Sequence, residues 1–221
     1  HIPFYSENNP DDSIKAFSEL IKKNKNKIAV LGCEFIQGEG GYLGAPASFF
    51  KELFTLAKKE GIKIWADEIQ TGGRMVNTFR YRDLGLGSFI DIMTLGKMTQ
   101  ICSTIYTHEL NPKPGLLNQT YAGSSAVLGA ANANLELMNN SKFYGKNNQL
   151  DKITTALKKE LINLSEKYPE KISNIRQYGG MFAFQYLNGS KEETMQIINK
   201  LIENGLIGFF CGHGPYFVRF L

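Results

Sequence analysis

The chain has 221 residues, 43% hydrophobic and 21% charged, with 25 basic against 21 acidic groups for a net charge of +4. This is the arithmetic of a globular chain and excludes a disordered or fibrous one, while five arginines in all leave a weak footprint for nucleic-acid binding. Cys33, Cys102 and Cys211 are odd in number and far apart, which offers neither a disulfide framework nor a paired-cysteine metal clamp, so a reducing, cytoplasmic setting is expected. No apolar run nears the roughly 20 residues of a membrane span, and the N-terminus shows no basic-then-apolar signal pattern. The opening at His1 and the strand-like close FVRFL point to a piece of a longer chain.

In chain order, residues 27–36 read as a short strand buried on both faces. Pro46 opens a helix at its first position, and Phe49, Phe50, Leu53, Phe54, Leu56 and Ala57 repeat at helical spacing until Gly61 stops it. Residues 62–66 form the next buried strand, completing a βαβ unit with parallel strands and a right-handed crossover. Strands follow at 90–95 and 101–107, then a loop carrying Pro112 and Pro114, then an alanine-rich helix over 124–138. After residue 139 the texture changes. A long Lys/Glu-rich helix is broken near Pro169, strands are expected at 172–176 and 181–187, and a helix capped by Ser190 with Glu193 three residues on runs to Gly205. The basic tract Lys22, Lys23, Lys25 and Lys27 reads as a solvated helix end. The fold class is α/β: residues 1–139 as part of a large domain with a mainly parallel sheet, and 140–221 as part of a smaller α+β domain.

Two polar residues fall just past the carboxyl ends of strands, where open α/β sheets place their sites: Asp67 closes IKIWAD and Lys97 follows DIMTLG. An aspartate there can ligate a metal, orient a histidine, hold a cationic ring nitrogen or simply cap a turn. A lysine there forms Schiff bases or is a solvated loop residue. Three histidines without metal-ligand spacing argue against zinc, and neither a GxSxG elbow nor a GxxxxGK[ST] phosphate loop is present. GEGGYLG, residues 38–44, does not fit GxGxxG and reads as a backbone-permissive active-site loop.

Taken together, EFIQGEGGY, WADEIQTGGR and DIMTLGK resemble, in order, three motifs of the class III pyridoxal-phosphate aminotransferases. NQTYAG around Thr120 and the closing FVRF resemble two more. The resemblance implies the large and small domains of fold type I, with pyridoxal 5'-phosphate as cofactor. Asp67 would pair with the pyridine nitrogen, and Lys97 would carry the cofactor as a Schiff base and later serve as general base. Gln70 would contact the phenolic oxygen. Thr120 would donate to the phosphate across a homodimer interface. Glu39 and Arg219 would bind substrate, the arginine gripping a substrate carboxylate and pairing with the glutamate when the other substrate is bound.

The implied reaction moves a terminal amino group from an ω-amino acid to an oxo-acid acceptor, 2-oxoglutarate. KMTQICS after the strand looks most like the lysine 6-aminotransferase branch, with 4-aminobutyrate aminotransferases close behind. An aminomutase or decarboxylase of the same family, or a non-catalytic fragment of the fold, are the alternatives. Three departures stand out: Phe35 replaces the family's proline, GFGRTG is shortened to GGRMVNT, and TFGGNP has become TYAGSSA. The family's phosphate-binding glycine loop and ring-stacking aromatic would precede His1.

Overall fold

The computed structural model describes residues 1–117, 123–139 and 142–221. In chain order the elements are helix α1 Asp12–Lys23, strands β1 Val30–Glu34, β2 Ile36–Gln37 and β3 Leu43–Gly44, helix α2 Ala47–Lys59, strand β4 Lys63–Asp67 and the single-turn helix α3 Arg80–Asp83. Strands β5 Ile92–Leu95 and β6 Ser103–Tyr106 follow, then helices α4 Ser125–Met138 and α5 Gln149–Lys167. Strands β7 Ile172–Tyr178 and β8 Met181–Tyr186, helix α6 Lys191–Glu203, and strands β9 Phe209–Cys211 and β10 Phe217–Phe220 complete the chain.

These elements form two compact units. One comprises His1–Phe35, Gly44–Gly72 and Arg80–Glu136; the other comprises Ile36–Leu43, Gly73–Phe79 and Leu137–Leu221. The division does not fall at one point, because two short excursions from the first stretch of sequence belong to the second unit.

In the first unit a four-stranded sheet runs β1-β4-β5-β6, with β1, β4 and β5 parallel and β6 antiparallel to β5. The antiparallel turn follows from length: the few residues between β5 and β6 cannot make the crossover that a parallel partner needs. Helix α2 buries Phe49, Phe50, Leu53, Phe54 and Ala57, which meet Phe17 and Ile21 of α1 and Ile64 and Ala66 of β4 in one core. Each large side chain buried this way contributes about 1.5–3 kcal/mol. Phe35, at the position of the family's proline, is fully buried there, with its ring edge-on to Phe50 at 5.1 Å.

Two expectations need correction. Pro46 is the N-cap of α2, not its first helical residue, because its ψ of 155° is extended. Among the described residues β1 and β4 are covered on one face: Leu31, Cys33, Ile64 and Ala66 join or border the core, whereas Val30 and Trp65 are 41% and 37% exposed. On that outer face the Trp65 ring lies over Gly32, where an added Cβ would come within 2.7 Å of it. The stop signal of α2 is realised as a Schellman motif: Gly61 has φ +71°, its amide reaches Lys58 O, and the Ile62 amide reaches Ala57 O.

The second unit is an antiparallel sheet in the order β7-β8-β10-β9. Strand β8 shows why it has two buried faces. Phe182 and Phe184 pack with Leu161 of α5 and Ile198 of α6, while Met181 and Ala183 pack with Ile36, Tyr42 and Met75 from the two excursions. Helix α6 starts at the expected cap: Ser190 Oγ accepts the Glu193 amide at 3.2 Å and donates to the Glu193 carboxylate at 2.9 Å. It ends with Gly205 at φ +83° and the Leu206 amide on Leu201 O.

Candidate functional site

Asp67 and Lys97 stand at the carboxyl ends of neighbouring parallel strands. Asp67 is the last residue of β4 and pairs in register with Thr94 of β5, three residues before the lysine. The Glu68 amide continues the ladder onto Thr94 O at 3.0 Å, so the two strand ends are locked together. Further back, the buried carboxylate of Asp91 accepts the Ile64 amide at 2.7 Å and pairs with Lys58 of α2 at 2.6 Å, which fixes β5 against β4 and its covering helix.

Asp67 does serve as a turn cap, its Oδ1 accepting the Ile69 amide at 3.0 Å, and this uses one of its two carboxylate oxygens. Lys97 follows Gly96 in a 3-10 turn with φ +54°, a left-handed conformation costly for a residue with a Cβ, and its side chain is exposed. The turn is over-determined. The Gln100 amide donates to Lys97 O at 3.0 Å, Thr99 Oγ1 to Ile101 O at 2.7 Å, and Asn134 of α4 to Met98 O at 3.1 Å. Gly96 is needed for close approach, since a Cβ there would sit 3.3 Å from Cys102 Sγ and 3.5 Å from Ile69.

Gln70 is buried within the turn that follows Asp67. That turn is closed by Glu68, which is fully buried and which sequence reasoning passed over. Its carbonyl accepts the Gly72 amide at 2.8 Å, and its carboxylate accepts the Thr71 hydroxyl and the amides of Arg80 at 3.1 Å and Tyr81 at 2.8 Å. Burial raises the Glu68 carboxyl above the usual range, although the Thr71 hydroxyl and the two amides favour its charged form. Cys33, on β1 beside Ala66, is pushed up to about 12 by burial and then by Glu68, Asp67 and Glu34, so it is an inert structural thiol.

In the second unit Glu39 and Arg219 meet. Arg219 Nη1 lies 2.7 Å from Glu39 Oε1 and 3.3 Å from Gly38 O, pairing a side chain that is 69% exposed with one that is 11% exposed. Arg219 Nε is buried and has no acceptor among the described residues. Tyr42, fully buried at φ +56°, closes the loop with its amide on Gln37 O at 3.0 Å. Burial raises its phenol, an effect that the Arg219 guanidinium opposes. Thr120 lies outside the described residues.

The donor set suits pyridoxal phosphate. Asp67 would supply the carboxylate for a protonated ring nitrogen, Lys97 an accessible primary amine for the aldehyde carbon, and Gln70 a buried amide for the phenolic oxygen. Among the described residues, no three His, Cys, Asp or Glu side chains gather to hold a metal.

The comparisons with known proteins bear on the family and the fold. The fold is that of a lysine aminotransferase from M. tuberculosis, with a TM-score of 0.81 at 21% identity over 100% of this chain and 51% of that one. Residues 2–221 match the family described as Aminotransferase class-III, and the chain belongs to that pyridoxal-phosphate-dependent family. The 5-aminovalerate aminotransferase of Pseudomonas putida is 31% identical over 91% of this chain and 49% of its own length. The 4-aminobutyrate aminotransferase of Escherichia coli is 29% identical over 94% and 50%. The chain thus spans about half the length of the curated relatives it matches.

Proposed function

We propose that these residues carry the lysine-bearing part of a site that moves the terminal amino group of an ω-amino acid, of the lysine or 4-aminobutyrate type, to 2-oxoglutarate. The observation behind this reading is the pair Asp67 and Lys97 on adjoining ends of β4 and β5 in a chain of this family.

When bound, pyridoxal phosphate supplies an electron sink for the negative charge formed at the reacting carbon. Asp67 holds a proton on the ring nitrogen, and Gln70 orients the ring through its phenolic oxygen. The Lys97 amine, when not bound to the cofactor, would take the proton from the substrate carbon bearing the amino group and deliver it to the carbon that was the cofactor's aldehyde. Arg219 grips a substrate carboxylate through its fork. Its buried Nε provides a donor beyond those already used, and Glu39 covers the guanidinium when no such carboxylate is bound. Thr120 donating to the phosphate across a homodimer interface, and a cytoplasmic setting, complete the proposal.

The test is an absorbance spectrum of the 221-residue chain with added pyridoxal phosphate, followed by borohydride reduction and peptide mass mapping. A covalent adduct on Lys97, lost in Lys97→Met, is expected. No adduct would leave the fold standing and move the catalytic claim to a longer parent chain. Product analysis with and without 2-oxoglutarate then separates amino transfer from an internal shift or a decarboxylation, because only transfer consumes the oxo acid.

A further inference from the structure

Strand β7 carries a bulge. Ser173 pairs with Gln185 but Arg176 pairs with Ala183, so three steps on β7 match two on β8, with Asn174 at φ +48° taking up the extra residue. Side chains alternate along a strand, so with regular pairing from Ser173 onward Ile175 would oppose Ala183 and Arg176, opposite Phe182, would point toward the helices. The bulge instead turns Ile175 into the core under α5 and α6 and sends Arg176 to the opposite face.

On that face Arg176 and Arg219 are both in register with Ala183, one on each side of it. Two strand spacings, roughly 9.5 Å, separate their backbones, and the fully buried methyl of Ala183 leaves room between them. The glycine-rich loop lies across this row. Arg219 donates to Gly38 O at 3.3 Å, the Gly212 amide to Glu39 O at 2.8 Å, and Arg176 Nη1 to Gly41 O. The Arg176 guanidinium also stacks on the Phe217 ring at 4.0 Å. Gly41, at φ +99°, takes a backbone conformation that strains any other residue, and a Cβ there would press on Arg176 Nη1 at 3.2 Å.

We propose that Arg176 is a positioning residue for the substrate-carboxylate site. It clamps the far end of the loop, so that the backbone of Glu39 is immobile and only its side chain moves on and off Arg219. The proposal rests on the reading of Glu39 and Arg219 given above. A fixed backbone lets the carboxylate exchange partners by side-chain rotation alone, which makes Arg176 a determinant of selectivity for carboxylate-bearing substrates without touching them. A lysine at 176 keeps the charge but loses the planar face on Phe217 and the rigid fork.

Amide hydrogen exchange on the full chain tests the clamp, comparing wild type with Arg176→Met, which keeps an apolar stem, and Arg176→Lys. Exchange at the Tyr42 and Gly212 amides should rise about tenfold or more in Arg176→Met, the size of a lost charge-assisted hydrogen bond. The rise should be smaller in Arg176→Lys, and the β8 amides should stay close to wild type. Kinetically, KM for a carboxylate-bearing substrate should rise about tenfold with kcat within about threefold, whereas KM for an amine without a carboxylate should hold.

Unchanged loop exchange overturns the proposal, as does opening that spreads equally over β7 and β8, which is the mark of a purely structural arginine. If the 221 residues turn over no substrate, the exchange data alone decide the clamp.

Discussion

At the end of β4 the turn beside Asp67 is tied down by an acceptor: one buried carboxyl group, Glu68, collects a hydroxyl and two amides. In the Glu39 loop the polarity is reversed, and two guanidinium groups and an amide collect three carbonyls. The turn at Asp67 presents donors, so an acceptor fixes it; the glycine loop presents carbonyls, so donors fix it. The consequence is chemical. A buried carboxylate changes charge within an accessible pH range, whereas a guanidinium stays protonated, so the first support is sensitive to pH and the second is not.

The comparison can be broken most decisively at Glu68. Glu68→Ala leaves buried amides and a hydroxyl without their acceptor, and a cost of about 3–5 kcal/mol is expected from several unsatisfied donors. For a chain of this size that lowers the thermal midpoint by roughly 10 °C. A midpoint within about 2 °C of wild type, measured by calorimetry, would show that the turn stands without its acceptor.

Glu68→Gln is the next largest perturbation. The amide keeps the shape but must point NH2 at one backbone donor, for an expected loss of about 1–2 kcal/mol near neutral pH. Its pH dependence sharpens the contrast. Glu68 has a raised folded pKa, so its contribution is fully present below the unfolded value of about 4.3 and is lost as pH rises through the folded value. In urea titrations the wild-type stability should therefore decline relative to Glu68→Gln as pH rises across that window. Parallel curves for the two proteins would remove the assigned role of burial. Arg176→Met, by contrast, should add no pH-dependent difference over the same range.

The smallest effect is expected at Glu39. Its side chain is largely exposed, so Glu39→Ala should change stability by no more than about 1 kcal/mol. The kinetics should separate it from Arg176: loss of the cover raises the affinity of Arg219 for the carboxylate of one substrate and weakens discrimination between the two. A thermal midpoint that moves as far as in the Glu68 variants would mean that the ion pair is structural.

Much of the framework was legible from local patterns. The parallel β1 and β4, the aromatic stripe of α2 and the Ser190 cap all rest on spacing within a few residues, and each formed where it was expected, although β1 starts three residues later than its apolar run. The coverage of the sheet was not legible, because a short apolar run reads alike whether one face or both are packed. Trp65 decides the matter by lying over Gly32. At the site, Asp67 and Lys97 were marked by their place after strands, but the ion pair of Glu39 with Arg219 spans 180 positions and was indicated only by the family resemblance. Glu68 and Arg176 escaped for a different reason. Both act on backbone groups far along the chain, and the aim of Arg176 depends on a one-residue bulge that leaves no mark in the hydrophobic pattern.

The two excursions, residues 36–43 and 73–79, interleave the units along the chain. Cutting the polypeptide at any one peptide bond cannot release either unit whole: the stretch after residue 139 alone would lack Ile36, Tyr42 and Met75 from its core, and its arginines would have no loop to hold. Assembly is therefore bound to be concerted. The second unit's core draws on segments that come before and after the first unit's strands, so the Glu39 loop cannot gain its contacts until β7, β8 and β10 are in place.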